Sequence, residues 1–300
     1  MFFVIFVKKS PDIKIMEKTL LGRPFLRYNS HSETIMIEKL KEIIRHRQLI
    51  LILVSRELKA RYRGTVLGFF WSLFNPLLLM LVYTVVFGFI VGGGRVSGFP
   101  STKLYALFLF NGILPWTWFS SSLLESSNVL MVQGALIKKI KFPIEVLPIM
   151  VVTTNMVHFL LGLPVLVAFF IIFGKGLTWW VLFLPVSLLS QYIFTMGLCF
   201  LISALTVHFR DIKDILANLL TLWFFATPII YTYQSVPKAL QFVLNLNPMT
   251  HIVESYHYAF YFGSLPHWKR FSVTILVGLL FFYMGYLLFD KLRDTYVEEV

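Results

Sequence analysis

Arg56, Lys59, Arg61 and Arg63 place four cations within eight residues, and the chain then runs without a linker into the uncharged, aromatic stretch "GTVLGFFWSLFNP". Cations at that junction can hold the anionic headgroups of a membrane surface or a partner on the same side. A second cationic group, "QGALIKKIK" from Gln133 to Lys141, forms a short turn between two long apolar runs.

Other residues bear on chemistry mainly by what they exclude. No stretch matches G-x-x-x-x-G-K-[ST]; "GGGRVSG" at 92–98 lacks the lysine, so the chain is not its own ATPase by that route. H-E-x-x-H and G-x-S-x-G are absent too, and no catalytic residue is assigned. Of seven histidines only His158 lies deep in an apolar run, where a hydrogen bond to a neighbouring helix fits better than an unpaired haem ligand. The single Cys199 leaves no internal disulfide and no cysteine metal cluster, and no metal site is expected. Glu125 and Glu145 interrupt apolar runs, as a proton relay or as structural acids; no buried basic partner is legible for either. Glu145 is expected at the membrane interface beside Lys138, Lys139 and Lys141.

Two stripes are more specific. At about 100° per residue, Gly68, Ser72, Asn75, Leu79 and Tyr83 share one face of the first apolar run. Asn218, Thr221, Phe225, Pro228 and Thr232 share one face of the fifth, and Trp71, Phe74, Trp223, Tyr231 and Tyr233 add aromatic surface. Such stripes face protein or water rather than lipid, so they are either helix packing or the wall of a pathway. Aromatic faces with hydroxyls suit sugars, although aromatics near span ends also serve as interface anchors.

These residues must be positioned by membrane helices. The 300-residue chain is 57% hydrophobic and only 14% charged, with its apolar residues in long runs. A spanning helix needs about 20 such residues. Runs at Val66–Val91, Leu104–Ile137, Phe142–Phe173, Leu177–Val207, Ile215–Val236 and Phe271–Phe289 give an all-α membrane protein with six spans. With both termini on the cytoplasmic side, 21 of the 27 Lys and Arg fall on that side, the bias that orients membrane proteins. The net charge of +12 thus reads as topology rather than as a nucleic-acid groove. Residues 1–34 are expected to be a poorly ordered tail without a cleavable signal, with Met16 and Met36 as later translation starts. Residues 35–65 form an amphipathic interface helix, with Met36, Ile37, Leu40, Ile43 and Ile44 on its apolar face. Residues 66–290 are the transmembrane domain and 291–300 a cytoplasmic tail. On the outer side, Ala239–Leu246 and Tyr256–Phe262 are too short to span; two re-entrant helices hinged at Asn247–Pro248 fit them.

The stretch "RELKARYRGTVLGFFWSLFNPLLLMLVYTVVFG" at 56–88 resembles the permease subunits of type-2 ABC exporters for cell-surface polysaccharides, such as O-antigen, capsule and teichoic acid. The resemblance continues in order through 107–143, "HFRDIKDIL", "TPIIY" and "LNPMTHIVESYHYAF", and covers about residues 36–290. It implies a homodimeric permease in the cytoplasmic membrane with two copies of an ATP-binding subunit, which carry the ATP and Mg that this chain does not. It implies a coupling helix at Gln133, Ile137, Lys138, Lys139, Ile140 and Lys141, and a channel between the first and fifth helices. Ser72, Asn75, Tyr83, Trp71, Phe74, Asn218, Thr221, Phe225 and Tyr231 would then line the substrate pathway. Arg56, Lys59, Arg61 and Arg63 would meet the diphosphate head of a lipid-linked polysaccharide. The alternatives are an ion-coupled secondary transporter of a small solute, for which midplane charges and an internal repeat are wanting, and a membrane enzyme modifying lipid-linked sugars, for which a catalytic cluster is wanting.

Overall fold

The computed structural model describes residues 45–64, 66, 68–91, 99, 101–134, 137, 143–173, 175–209, 211–293 and 296. The expected N-terminal tail, the Met36–Ile44 face of the interface helix, and Lys138, Lys139, Ile140 and Lys141 lie outside them. Among the described residues the protein is all-helical, with ten α-helices and no strand. Helices satisfy their own backbone hydrogen bonds, which is what a chain this apolar requires in lipid.

Helix α1 (Arg47–Tyr62) buries Ile50, Leu53 and Val54. It ends where Gly64 takes a φ of +77°, a left-handed turn open to glycine, so the basic helix and the apolar one are separate elements. A 3-10 turn at Gly68–Phe70 leads into α2 (Trp71–Tyr83), and a π-helical stretch, Thr84–Val91, extends it. Pro76 inside α2 removes one backbone donor from its ladder.

Helix α3 (Thr102–Ser126) is the axis of the bundle. Every residue from Tyr105 to Trp116 is buried, as befits a helix apolar on all sides. It packs against α2, against α5 (Val146–Ile172) and against α6 (Leu184–His208). The second run, Leu104–Ile137, breaks after Ser126 and resumes as the short α4 (Val129–Val132). Polar side chains claim the freed carbonyls at the break: Ser127 Oγ donates to Leu124 O at 2.7 Å and Ser203 Oγ to Ser126 O at 2.8 Å.

The fifth run departs from expectation. Helix α7 (Ile212–Phe225) stops well short of Val236, because Pro228 cannot continue the ladder. At about 1.5 Å per residue its 14 residues reach only part of the way across a bilayer. Pro228 and Thr232 therefore leave the face they were expected to share with Asn218. Two short helices follow, α8 (Lys238–Leu246) and α9 (Pro248–Tyr256), the second continued by a π-helical turn at His257–Phe262. Helix α10 (Trp268–Lys291) closes the fold against α6, backbone to backbone. A Cβ at Gly285 would collide with the carbonyl oxygen of Gly197, and one at Gly197 with the backbone of Phe282. Small residues at a helix crossing permit that approach in lipid.

Three of these helices are long and apolar enough to cross a membrane: Val146–Ile172, Trp268–Lys291, and α6 together with its 3-10 lead, Trp179–His208.

Candidate functional site

The basic junction comes first. Lys59 and Arg63 are exposed. Arg56 is exposed too, but its Nη2 donates to Gln133 Oε1 at 3.2 Å. Arg61 is half-buried and its Nη2 lies 2.7 Å from Glu125 Oε2. The acid of the second run therefore has a basic partner after all, contrary to expectation. The pairing spans 64 positions in the chain, and no local spacing announces it. Asn155 joins them, donating from Nδ2 to the same carboxylate oxygen at 2.9 Å.

Glu145 is buried and pairs with Arg293 at 3.8 Å; the lysines expected beside it, Lys138, Lys139 and Lys141, lie outside the described residues. That contact brings the end of α10 to the start of α5. Of the expected coupling residues, Gln133 meets Arg56 and Ile137 is buried.

The two stripe-bearing helices meet through an aromatic contact. The Tyr83 ring stacks on Phe224 at 5.4 Å and 20°, joining α2 to α7. Trp116 of α3 meets the same Phe224 edge-on at 5.6 Å. Phe224 and Trp116 were not singled out from the sequence. The spacing Leu216, Leu220, Phe224 marks the buried face of α7 and could have found the first. Several other stripe residues are exposed, whereas Pro228 is buried and Trp223 turns inward to Phe119. Trp71 and Phe74 are exposed and pack edge-to-face at 5.8 Å, and Asn75 is exposed beside them. Ser72 lies on the same helix. On α7, Asn218 Nδ2 donates to Asp214 O at 3.1 Å and Thr221 Oγ1 to Ala217 O at 3.0 Å, each to its own helix four residues back. Phe225 is exposed, and Tyr231 folds its hydroxyl onto Phe225 O at 2.9 Å. The outward faces of both helices thus combine aromatic rings, amides and hydroxyls with exposed leucines such as Leu79 and Leu222.

Asn247 fixes the end of α7. Its Oδ1 accepts from Trp223 Nε1 at 2.8 Å and from the backbone N–H of Met249 at 3.0 Å. Its Nδ2 donates to Ala226 O at 3.1 Å and Thr227 Oγ1 at 3.0 Å. The first pair are donors only, and Ala226 O is an acceptor only, so the amide can sit one way round. The residue is also the N-cap of α9, with Pro248 at its first position. Tyr105 secures the same irregular segment by donating its hydroxyl to Ile230 O at 3.0 Å. Nearby, Lys175 Nζ sits 3.1 Å over the Tyr261 ring, and burial lowers the pKa of its ammonium from the ordinary value. Among the described residues no group of three His, Cys, Asp or Glu could hold a metal ion.

Residues 48–261 match the family described as ABC-2 type transporter. The chain is similar to the O-antigen export system permease protein RfbA of Myxococcus xanthus, 38% identical over 267 residues, which are 88% of this chain and 100% of that protein. An O-antigen export system permease protein RfbA of Klebsiella pneumoniae is 31% identical over 251 residues, 83% of this chain and 94% of the relative. The Polysialic acid transport protein KpsM of Escherichia coli is 26% identical over 245 residues, 76% of this chain and 89% of the relative.

Proposed function

The chain belongs to the ABC-2 type transporter family, and from that premise we propose how it works. It is an integral, multi-pass membrane permease of an ABC-2 exporter for O-antigen or a related polysaccharide; ATP hydrolysis lies on a separate subunit. In the arrangement we favour, two copies of the chain and two ATP-binding subunits assemble in the cytoplasmic membrane, with both termini in the cytoplasm. Six segments cross: α2 with its extensions, α3, α5, α6, α7 and α10. The half-length α7 is completed from the outer side by re-entrant α8 and α9. The 133–141 turn, with Gln133, Ile137, Lys138, Lys139, Ile140 and Lys141, seats on the ATPase. The substrate is lipid-linked; Lys59 and Arg63 are open to its diphosphate, with Arg56 behind them.

The polymer slides between protomers over the outward faces of α2 and α7. One observation carries that placement: α2 and α7 are tied at Tyr83–Phe224 and both present rings and polar groups outward from the chain. Each contact with a sugar is weak and repeated, so a chain can advance without a deep well.

The test is thiol labelling of the assembled, transporting complex. Cys199 is buried and is first replaced by Ala. Asn75→Cys and Phe225→Cys should then react with a bulky water-soluble thiol reagent, and export should fall severalfold. Leu276→Cys, on the outward face of α10, should stay unlabelled in lipid. If both pathway thiols resist the reagent while export runs normally, the stripes are packing surfaces and the pathway lies elsewhere.

A further inference from the structure

Arg61 comes from α1, Glu125 from α3 and Asn155 from α5, and the three side chains converge on one point. Glu125 Oε2 accepts from Arg61 Nη2 at 2.7 Å and from Asn155 Nδ2 at 2.9 Å. Arg61 Nη1 reaches Asn155 Oδ1 at 3.5 Å, and Asn155 also donates to Val151 O at 3.2 Å. Arginine donates only and a carboxylate accepts only, so the orientation of the Asn155 amide follows from its partners. His158, one turn further along α5, lies within electrostatic reach of Arg61. Five residues earlier on α1, Arg56 fastens the same helix to Gln133, where the chain enters the 133–141 turn. Helix α1 is thereby held at two points to the end of α3 and to the turn that follows it, and Gly64 links it to α2.

We propose that Arg61, Glu125 and Asn155 are positioning residues for transport. They lock α1 to α3 and α5, so that displacement of the 133–141 turn by the ATP-binding subunit moves α1 and, through the Gly64 turn, the pathway helix α2. This rests on the reading of the chain as an ABC-2 permease whose turn seats on the ATPase. The geometry separates Arg61 from the cations around it. Lys59 and Arg63 present their charge to solvent, whereas the Arg61 fork is committed on two nitrogens to two partners. The Arg61 and Glu125 side chains are 30% and 33% exposed, so the pair is neither a screened surface contact nor a sealed one. A pair at that depth can part and re-form within a transport cycle without stranding a charge in hydrocarbon.

The experiment uses the whole permease–ATPase complex in proteoliposomes with lipid-linked polysaccharide. Export and ATP hydrolysis are measured over a range of substrate concentrations. Arg61→Glu and Glu125→Arg should each lower the maximal export rate by about tenfold, with ATP hydrolysis retained and KM little changed. The double swap should recover export to within about threefold of the parent, because opposite charges again face each other. Arg61→Lys, which cannot bridge both partners, should fall between. Lys59→Gln with Arg63→Gln should instead raise KM. Should a charge reversal prevent assembly, the isosteric Glu125→Gln serves: export per ATP should drop about threefold at unchanged complex yield. Arg61→Glu raising KM at unchanged maximal rate, with no recovery in the swap, would make Arg61 a ligand for the lipid head and overturn the proposal. Unaltered export per ATP in Glu125→Gln overturns it equally. A parent complex that hydrolyses ATP but moves no polysaccharide sinks the transport reading itself, a result separable from either.

Discussion

The Arg61 joint and the Asn247 joint each gather side chains from separate helices onto one polar group, yet they are built from different chemistry. At Arg61 the bonds are ionic, the partners are about one-third exposed, and the elements joined are long helices and the turn behind them. At Asn247 the bonds are neutral, every bond the amide can readily make is satisfied, and the elements joined are the end of α7 and the start of α9. The second is half-buried, and its Trp223 meets Phe119 of α3 edge-on at 5.1 Å. An ionic pair near water can exchange partners at modest cost. An amide tied by four bonds to the end of one helix and the start of the next exchanges less easily, because several donors and acceptors must be re-partnered at once. The first is therefore suited to motion and the second to holding an irregular segment still inside a membrane.

Four substitutions test that contrast, and the largest effect lies at neither joint. Gly285→Leu drives a side chain into the Gly197 carbonyl, where backbone rather than a flexible side chain stands in the way. It should cost several kcal/mol, about the scale of severe overpacking. Little detergent-stable protein should be recovered, as size-exclusion chromatography would show. If Gly285→Leu gives normal yield and elution, the α6–α10 crossing is looser than described, and neither joint then rests on a fixed frame.

Asn247→Ala comes next. It removes the cap of α9, leaves Trp223 Nε1 and Ala226 O without these partners, and takes away the bond Thr227 Oγ1 accepts while its own bond to Trp223 O remains, at a cost of roughly 1–3 kcal/mol. The complex should lose thermal stability, and export and ATP-coupled turnover should decline together. Arg61→Glu should do the reverse, separating export from hydrolysis with little change in melting temperature. If Asn247→Ala uncouples hydrolysis from export at unchanged melting temperature, the neutral joint moves too and the contrast fails.

The sequence carries one of these joints better than the other. Asn247–Pro248 is a local signal: a capping residue before a proline at the first helical position reads as a hinge, and α9 starts there. The turn at Gly64 is local as well. Family resemblance spread over separated motifs brought the permease reading with it. What stayed hidden was long-range. Arg61 and Glu125 meet only because α1 packs against α5 beside the end of α3, and hydropathy puts one before the first run and the other inside the second without pairing them. The break after Ser126 is invisible to hydropathy because the apolar residues resume at Val129, while Ser203, 77 positions away, takes the freed carbonyl. Pro228 was readable as a helix stop, but the stripe of the fifth run was extended through it on periodicity alone, so Pro228 and Thr232 fall off that face.

The smallest effect isolates one bond of the neutral joint. Trp223→Phe keeps most of the ring against Phe119 and removes only the indole N–H that donates to Asn247 Oδ1 at 2.8 Å. That oxygen still accepts from Met249 N–H, so no buried acceptor is orphaned and α9 keeps its cap. Hydrogen bonds between helices in membranes are worth about 0.6 kcal/mol on average, since a chain unfolded in lipid finds partners too. A fall in melting temperature of about a degree or two is expected, with export nearly unchanged. In an Asn247→Ala background the same change should cost less, because the bond is already gone; that shortfall measures the coupling of the pair. If Trp223→Phe is as damaging alone as Asn247→Ala, and the two effects simply add, the indole contributes through its packing. The joint would then be held by the Met249, Ala226 and Thr227 contacts alone.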